Sequence, residues 1–141
     1  GTTAANTGTL LLNKAAAIER SVRRAREEYD GDDANLVANQ TRQDAIVLNL
    51  QRACETSIDL AMHLVRKYRL GIPQESRDAF ELLSNAGKLD AALAAGLKRM
   101  VGFRNVAVHN YTRLDLAVVQ SIVERHLDDL LRFASVAARG D

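Results

Sequence analysis

From Ile46 to Tyr68 the apolar residues Ile46, Leu50, Cys54, Ile58, Ala61, Val65 and Tyr68 recur at three- and four-residue steps. Only an α-helix gathers such a series onto one face. A stripe of about six turns describes a rod that must bury that face against other elements. The spacing predicts a helix over 41–70. Thr41-Arg42-Gln43-Asp44 resembles a capping box with Asp in place of Glu at its start, and Gly71 and Pro73 close it.

The remaining segments supply the partners. A helix over 10–29, with Thr9 as N-cap, carries the stripe Leu11, Ala15, Ile18, Val22 and Ala25. Asp30-Gly31-Asp32-Asp33 ends it, and an irregular connection is expected from there to Gln40. Ser76 is expected to cap a short helix over 77–86 that packs through Phe80, Leu82 and Leu83 and stops at Gly87. Asp90 caps a fourth helix with Leu93, Leu97, Met100, Val101 and also Val108 as its apolar set. A last helix starts after Asp115 and runs to Ala138. Its broad apolar stripe, anchored by Phe133, suits packing on two sides or against a second subunit.

No segment alternates as a strand would, and an apolar share of 47% dominated by Ala and Leu favours helix. The expected fold is all-α: an antiparallel bundle of about five helices, forming one domain over 10–138. Residues 1–9 lack the basic and apolar blocks of a secretion signal and are expected to be a disordered or vector-derived end. No apolar run approaches the ~20 residues of a membrane span. The single cysteine excludes an internal disulfide and a cysteine-cluster metal site, which fits a cytoplasmic setting. A net charge of +1 neither demands nor excludes nucleic acid.

Several polar groups have an ordinary structural reading. Cys54 lies in the buried stripe and reads as a small core residue. Arg20, Arg23, Arg24 and Arg26 read as a solvated face paired with Glu19, Glu27 and Glu28, against an alternative reading as a basic surface for RNA. Glu55 and Asp59 are one turn apart, as are Asp59 and His63, but with no further strong ligand at helical spacing they are not read as a metal site. Glu55 or Asp59 is expected to orient an arginine elsewhere. His63 and His126 read as surface or interface residues.

Arg104-Asn105-Val106-Ala107-Val108-His109-Asn110-Tyr111 stands apart. It places a permanent cation, an imidazole and a phenol within eight residues. Arg104 can grip two phosphate oxygens and stabilise growing charge. His109 can move a proton to or from a ribose hydroxyl or a leaving oxygen. Tyr111 can bond phosphate or stack on a base. Asn105 adds a polar contact, and no metal or other cofactor is required. On a straight helix Arg104 and His109 point about 140° apart. A shared site therefore needs a helix break near His109, with His109 and Tyr111 on an extended segment, or a second copy of the chain. The plainer alternative is that these residues cap carbonyls and pack the helix end.

The motif, the block from Leu97 to His109, the block from Leu48 to His63 and the Gly71-Ile72-Pro73-Gln74 turn together resemble the HepT family of HEPN-domain toxins, of the MntA–HepT type. The family pattern is Arg, four to six residues, His, any residue, Tyr, met here by Arg104, His109 and Tyr111. The resemblance spans about Leu10 to Phe133. It implies a HEPN-like homodimer whose two motif copies face one another, and a metal-independent endoribonuclease acting on RNA. Arg104, His109 and Tyr111 would be catalytic, with Asn105, Lys98 and Arg99 binding RNA or supporting them. It further implies a type VII-like toxin neutralised by an MntA-like nucleotidyltransferase antitoxin that adenylylates Tyr111. Two other functions compete: a non-catalytic substrate- or nucleotide-binding subunit of a nucleotidyltransferase complex, and a purely structural dimerisation module.

Overall fold

The computed structural model describes the backbone of residues 2–139 and side chains from residue 8. The elements are α1 (Thr2–Tyr29), α2 (Ala34–Val37), α3 (Gln40–Tyr68), α4 (Ser76–Asn85) and α5 (Ala91–His109). A 3-10 turn (Tyr111–Arg113) leads to α6 (Leu116–Ser121), a π turn (Ile122–His126) and α7 (Leu127–Arg139). Among the described residues there is no strand. No described helix is long and apolar enough to cross a membrane.

The stripe on α3 makes it the central rod. α1 lies along it, α4 and α5 cover its second half, and α7 closes the bundle against α1. Ile46, Leu50, Ala61 and Val65 of α3 are fully enclosed, as are Ile18 and Ala25 of α1. Phe80 of α4 and Phe133 of α7 meet edge to face at the centre, with ring centroids 5.5 Å apart and planes at 74°. Cys54 sits in this interior, and burial pushes its thiol up to about 12, as suits a core residue without a reactive thiolate.

Several local expectations are corrected. α1 is helical from Thr2, so Thr9 lies within it and is not its N-cap: Gly8 costs about 1 kcal/mol in a helix without ending it. The tail expected over 1–9 otherwise falls on Gly1 and on side chains of residues 2–7, outside the described residues. The connection after Gly31 folds into α2, which buries Leu36. α3 is capped by Asn39, whose side chain accepts from the Arg42 amide at 3.0 Å, and the Thr41–Asp44 capping box does not form. α3 ends earlier than Gly71 requires. Arg69 takes the left-handed conformation (φ 55°, ψ 50°), and the Leu70 amide returns to Val65 O at 3.0 Å. Ser76 is the first residue of α4 rather than its cap, and the Asp78 carboxylate accepts the Gln74 and Glu75 amides at 2.9 and 3.1 Å.

α6, the π turn and α7 form the last rod, starting after Asp115 as expected. The Tyr29 hydroxyl, at the end of α1, donates to Glu124 in the π turn. On α1, Arg24 pairs with Glu27 and Glu28, and Arg26 reaches Asp128 of α7 at 3.0 Å. Arg24 bears out the expected pairing with Glu27 and Glu28, while Arg26 takes a partner on another helix instead.

Candidate active site

Arg104 and His109 both belong to α5, which runs unbroken to His109. Five residues of regular helix set them about 140° apart around the axis and about 7.5 Å along it. The helix ends near His109, as expected, but that end lies beyond both residues and does not turn them to one side. Asn110 ends the helix (φ −155°, ψ 63°), and Tyr111 enters a 3-10 turn rather than an extended segment.

Arg104 is half-buried where α5 passes the start of α4. Its Nε donates to Asn105 Oδ1 at 2.9 Å, and its Nη2 makes a long 3.4 Å contact to Ser76 Oγ. Among the described residues no carboxylate pairs with it, so the rest of its fork remains open to an anion. The expected carboxylate partner on α3 does not appear. Asp59 turns to Lys14 at 3.7 Å, and Glu55 accepts from Gln51 at 3.2 Å. His63 meets Arg66 at 3.0 Å, with burial and then Arg66 lowering its pKa. Among the described residues no three His, Cys, Asp or Glu side chains gather as metal ligands.

His109 is exposed at the carbonyl end of α5, and no hydrogen bond of its ring appears among the described residues. It is free to meet a substrate. Tyr111 is held differently. Its hydroxyl donates to Asp44 Oδ1 on α3 at 2.6 Å, and Gln40 Nε2 donates to the same oxygen at 2.8 Å. The ring is 40% exposed. Partial burial, then the bond to Asp44, push the phenol up to about 12.

Of the supporting candidates, Asn105 is engaged with Arg104. Lys98 is committed to Glu81 of α4. Arg99 lines a separate recess of about 170 Å³ with Met100, Ile122 and His126. His126 is thus half-enclosed, 3.8 Å from Asp129. Two residues at the motif, Ser76 and Asp44, escaped the sequence reading because both were taken for helix-capping groups. Their signal is tertiary: each lies far from the motif along the chain.

A spectrophotometric titration checks the Tyr111 environment. Two phenols, Tyr29 and Tyr111, should ionise near pH 12 rather than near 10. Asp44→Ala should move one of them part of the way down, since burial remains. A raised phenol favours the fold in its neutral form. That contribution is complete below about pH 10 and is lost as pH rises through about 12. An unchanged titration in D44A would show that the Asp44 bond does not hold in solution.

Solved structures share this architecture. The tri-AMPylated HEPN toxin of Shewanella oneidensis, in complex with MNT antitoxin, superposes with a TM-score of 0.87 at 42% identity, covering 94% of this chain and 98% of that one. A toxin–antitoxin structure with AMP-PNP gives 0.88 at 41% identity, covering 94% and 99%. Bundle and motif therefore define a HEPN-type toxin domain. The family profile described as Ribonuclease HepT-like matches residues 18–137. The chain is also 44% identical over 127 residues to the mRNA nuclease HepT of Shewanella oneidensis, covering 90% of this chain and 95% of that protein. A putative RNase of Archaeoglobus fulgidus is 35% identical over 88 residues, 62% of this chain and 66% of its own length. The chain belongs to the HepT-like ribonuclease family and is an endoribonuclease of the toxin–antitoxin type.

Proposed function

We propose that this chain cleaves RNA without a metal ion, at a site completed by a second copy of itself, and that Tyr111 is the point at which it is silenced. The observation that carries the reading is the division of labour on α5. Among the described residues Arg104 is held without a carboxylate partner, while the His109 ring makes no hydrogen bond and points to another side of the same helix. A two-fold pairing of motifs lets the guanidinium of one subunit and the imidazole of its partner address one phosphodiester. Arg104 then stabilises charge on the phosphate. His109 withdraws the ribose 2′-hydroxyl proton or supplies one to the leaving 5′-oxygen. Asn105 and Ser76 hold Arg104, Arg99 serves as an outlying cation, and Lys98 joins it only on leaving Glu81. Exposed Val106, Val108 and Val118 near the motif offer apolar area for the pairing.

We read residues 10–138 as the single working domain, acting in the cytoplasm on messenger RNA, the substrate class in its Shewanella relative's name. The partner class comes from neighbours solved with an MNT antitoxin, one of them tri-AMPylated. A toxin–antitoxin complex with a tyrosine-to-alanine substitution has also been solved. In this chain Tyr111 presents an exposed phenol beside the motif. AMP on it would put a bulky anion next to Arg104 and repel RNA phosphate.

The test is to express the chain with and without the nucleotidyltransferase encoded beside it. Alone, it should cleave RNA in excess EDTA and behave as a dimer by light scattering. With the partner, it should gain whole AMP masses on the Tyr111 peptide and lose cleavage. A monomer that cuts RNA would remove the composite site. AMP on a different residue would remove the role of Tyr111.

A further inference from the structure

Asp44 is the group that the ribonuclease reading leaves unused. Its Oδ1 lies 2.6 Å from the Tyr111 hydroxyl. Gln40 fixes the same oxygen from the neighbouring turn, and the carboxylate is exposed to solvent. An acceptor, a hydroxyl and access from outside thus coincide at one point of the surface. Many surface bonds merely tie a turn to a helix. This one joins a carboxylate to an atom that, on the reading above, acts as a nucleophile.

We propose that Asp44 is the general base for modification of Tyr111, so that the toxin carries part of the catalytic apparatus for its own silencing. This rests on the reading of Tyr111 as the AMP acceptor. The nucleotidyltransferase presents a nucleoside triphosphate, and Tyr111 Oη attacks its α-phosphorus. The Oη–P bond forms as the bond from the α-phosphorus to the bridging oxygen of pyrophosphate breaks. The phenolic proton passes to Asp44 Oδ1 and then to water, and pyrophosphate leaves.

The need for a base follows from the phenol. With its pKa near 12, about one molecule in 10⁵ carries a phenolate at pH 7. The neutral hydroxyl must shed its proton as the new bond forms, and a carboxylate already in line can take it. The hydrogen bond that keeps the phenol neutral at rest thus provides the path for its proton during transfer.

Replacing Asp44 by Asn separates the two roles of the side chain. The amide oxygen still accepts the phenol hydrogen bond and holds the turn, but it cannot take the proton. The experiment uses the full chain with its adjacent nucleotidyltransferase, ATP and magnesium. AMP addition is followed by intact mass and peptide mapping from pH 6 to 9. Asp44→Asn should lower kcat about 100-fold, with KM for ATP and for the toxin within about twofold. Its rate should climb with pH where the wild-type rate is flat. Asp44→Glu should recover most of the loss. Thermal melting and co-elution with the partner confirm that each variant folds and docks. Asp44→Asn modified within about threefold of wild type, on the same flat profile, would leave Asp44 as a tether and overturn the proposal while sparing the AMP-acceptor reading. Wild-type chain that takes no AMP on Tyr111 would overturn both.

Discussion

His109→Ala should abolish RNA cleavage, with a loss of about 10²–10⁴ in kcat, and leave the fold untouched. The side chain is exposed, makes no hydrogen bond among the described residues and stands at the very end of α5. Removing it opens no cavity and orphans no buried group, so the stability change should stay within about 0.5 kcal/mol. The same substitution should remove growth arrest on expression without a partner. It should leave AMP addition at Tyr111 in place, because the imidazole takes no part in that transfer. Cleavage assays, thermal melting and mass spectrometry read these outcomes separately. A variant that keeps full cleavage would strip His109 of its proton-transfer role. One that loses cleavage together with its melting transition would show a structural role instead.

Phe133→Ala is expected to have the opposite signature. Phe133 is fully enclosed on α7 and meets Phe80 of α4 edge to face. Truncation removes the aromatic pair and leaves a void among α3, α4 and α7 that the bundle cannot fill without moving helices. Losses of about 3–5 kcal/mol are typical for such sites, and in a chain of this size that lowers Tm by about 10 °C or more. Phe133→Leu should recover much of the deficit, since it restores most of the apolar volume. Cleavage per folded molecule should be unaffected below the melting transition. A shift of only one or two degrees would mean that the centre of the bundle is looser than its packing indicates.

Helices were legible where packing demanded them. The stripes on α1 and α3 name buried residues, with Tyr68 at the end of α3 only partly buried, because an amphipathic face is dictated by a period of 3.6 and a core to meet. Asp90 and the start after Asp115 were likewise plain: both carboxylates cap, accepting amides at 2.7 and 2.9 Å. Helix ends went astray where several capping residues compete. Asn39 outcompetes Thr41 for α3, and Arg69 closes α3 before the glycine is reached. The Arg104, His109 and Tyr111 triplet was visible as a pattern, but its surroundings were not. Ser76 and Asp44 come from α4 and α3, and both were assigned to capping because local sequence offers no view of a partner that distant. The helix end expected near His109 is present, but Tyr111 enters a 3-10 turn instead of an extended segment, and regular helix fills the interval from Arg104 to His109. Val106, Ala107 and Val108 continue the helical ladder, and the Asn110 amide still bonds to Val106 O at 2.8 Å.

The continuity of α5 from Arg104 to His109 makes the motif behave like a thread on a screw. Adding one residue between the two would swing the imidazole by about 100° and advance it about 1.5 Å, with no hinge to absorb the change. Spacer length therefore sets the angle and offset at which the two side chains leave the helix, and so the direction from which each must meet a facing subunit.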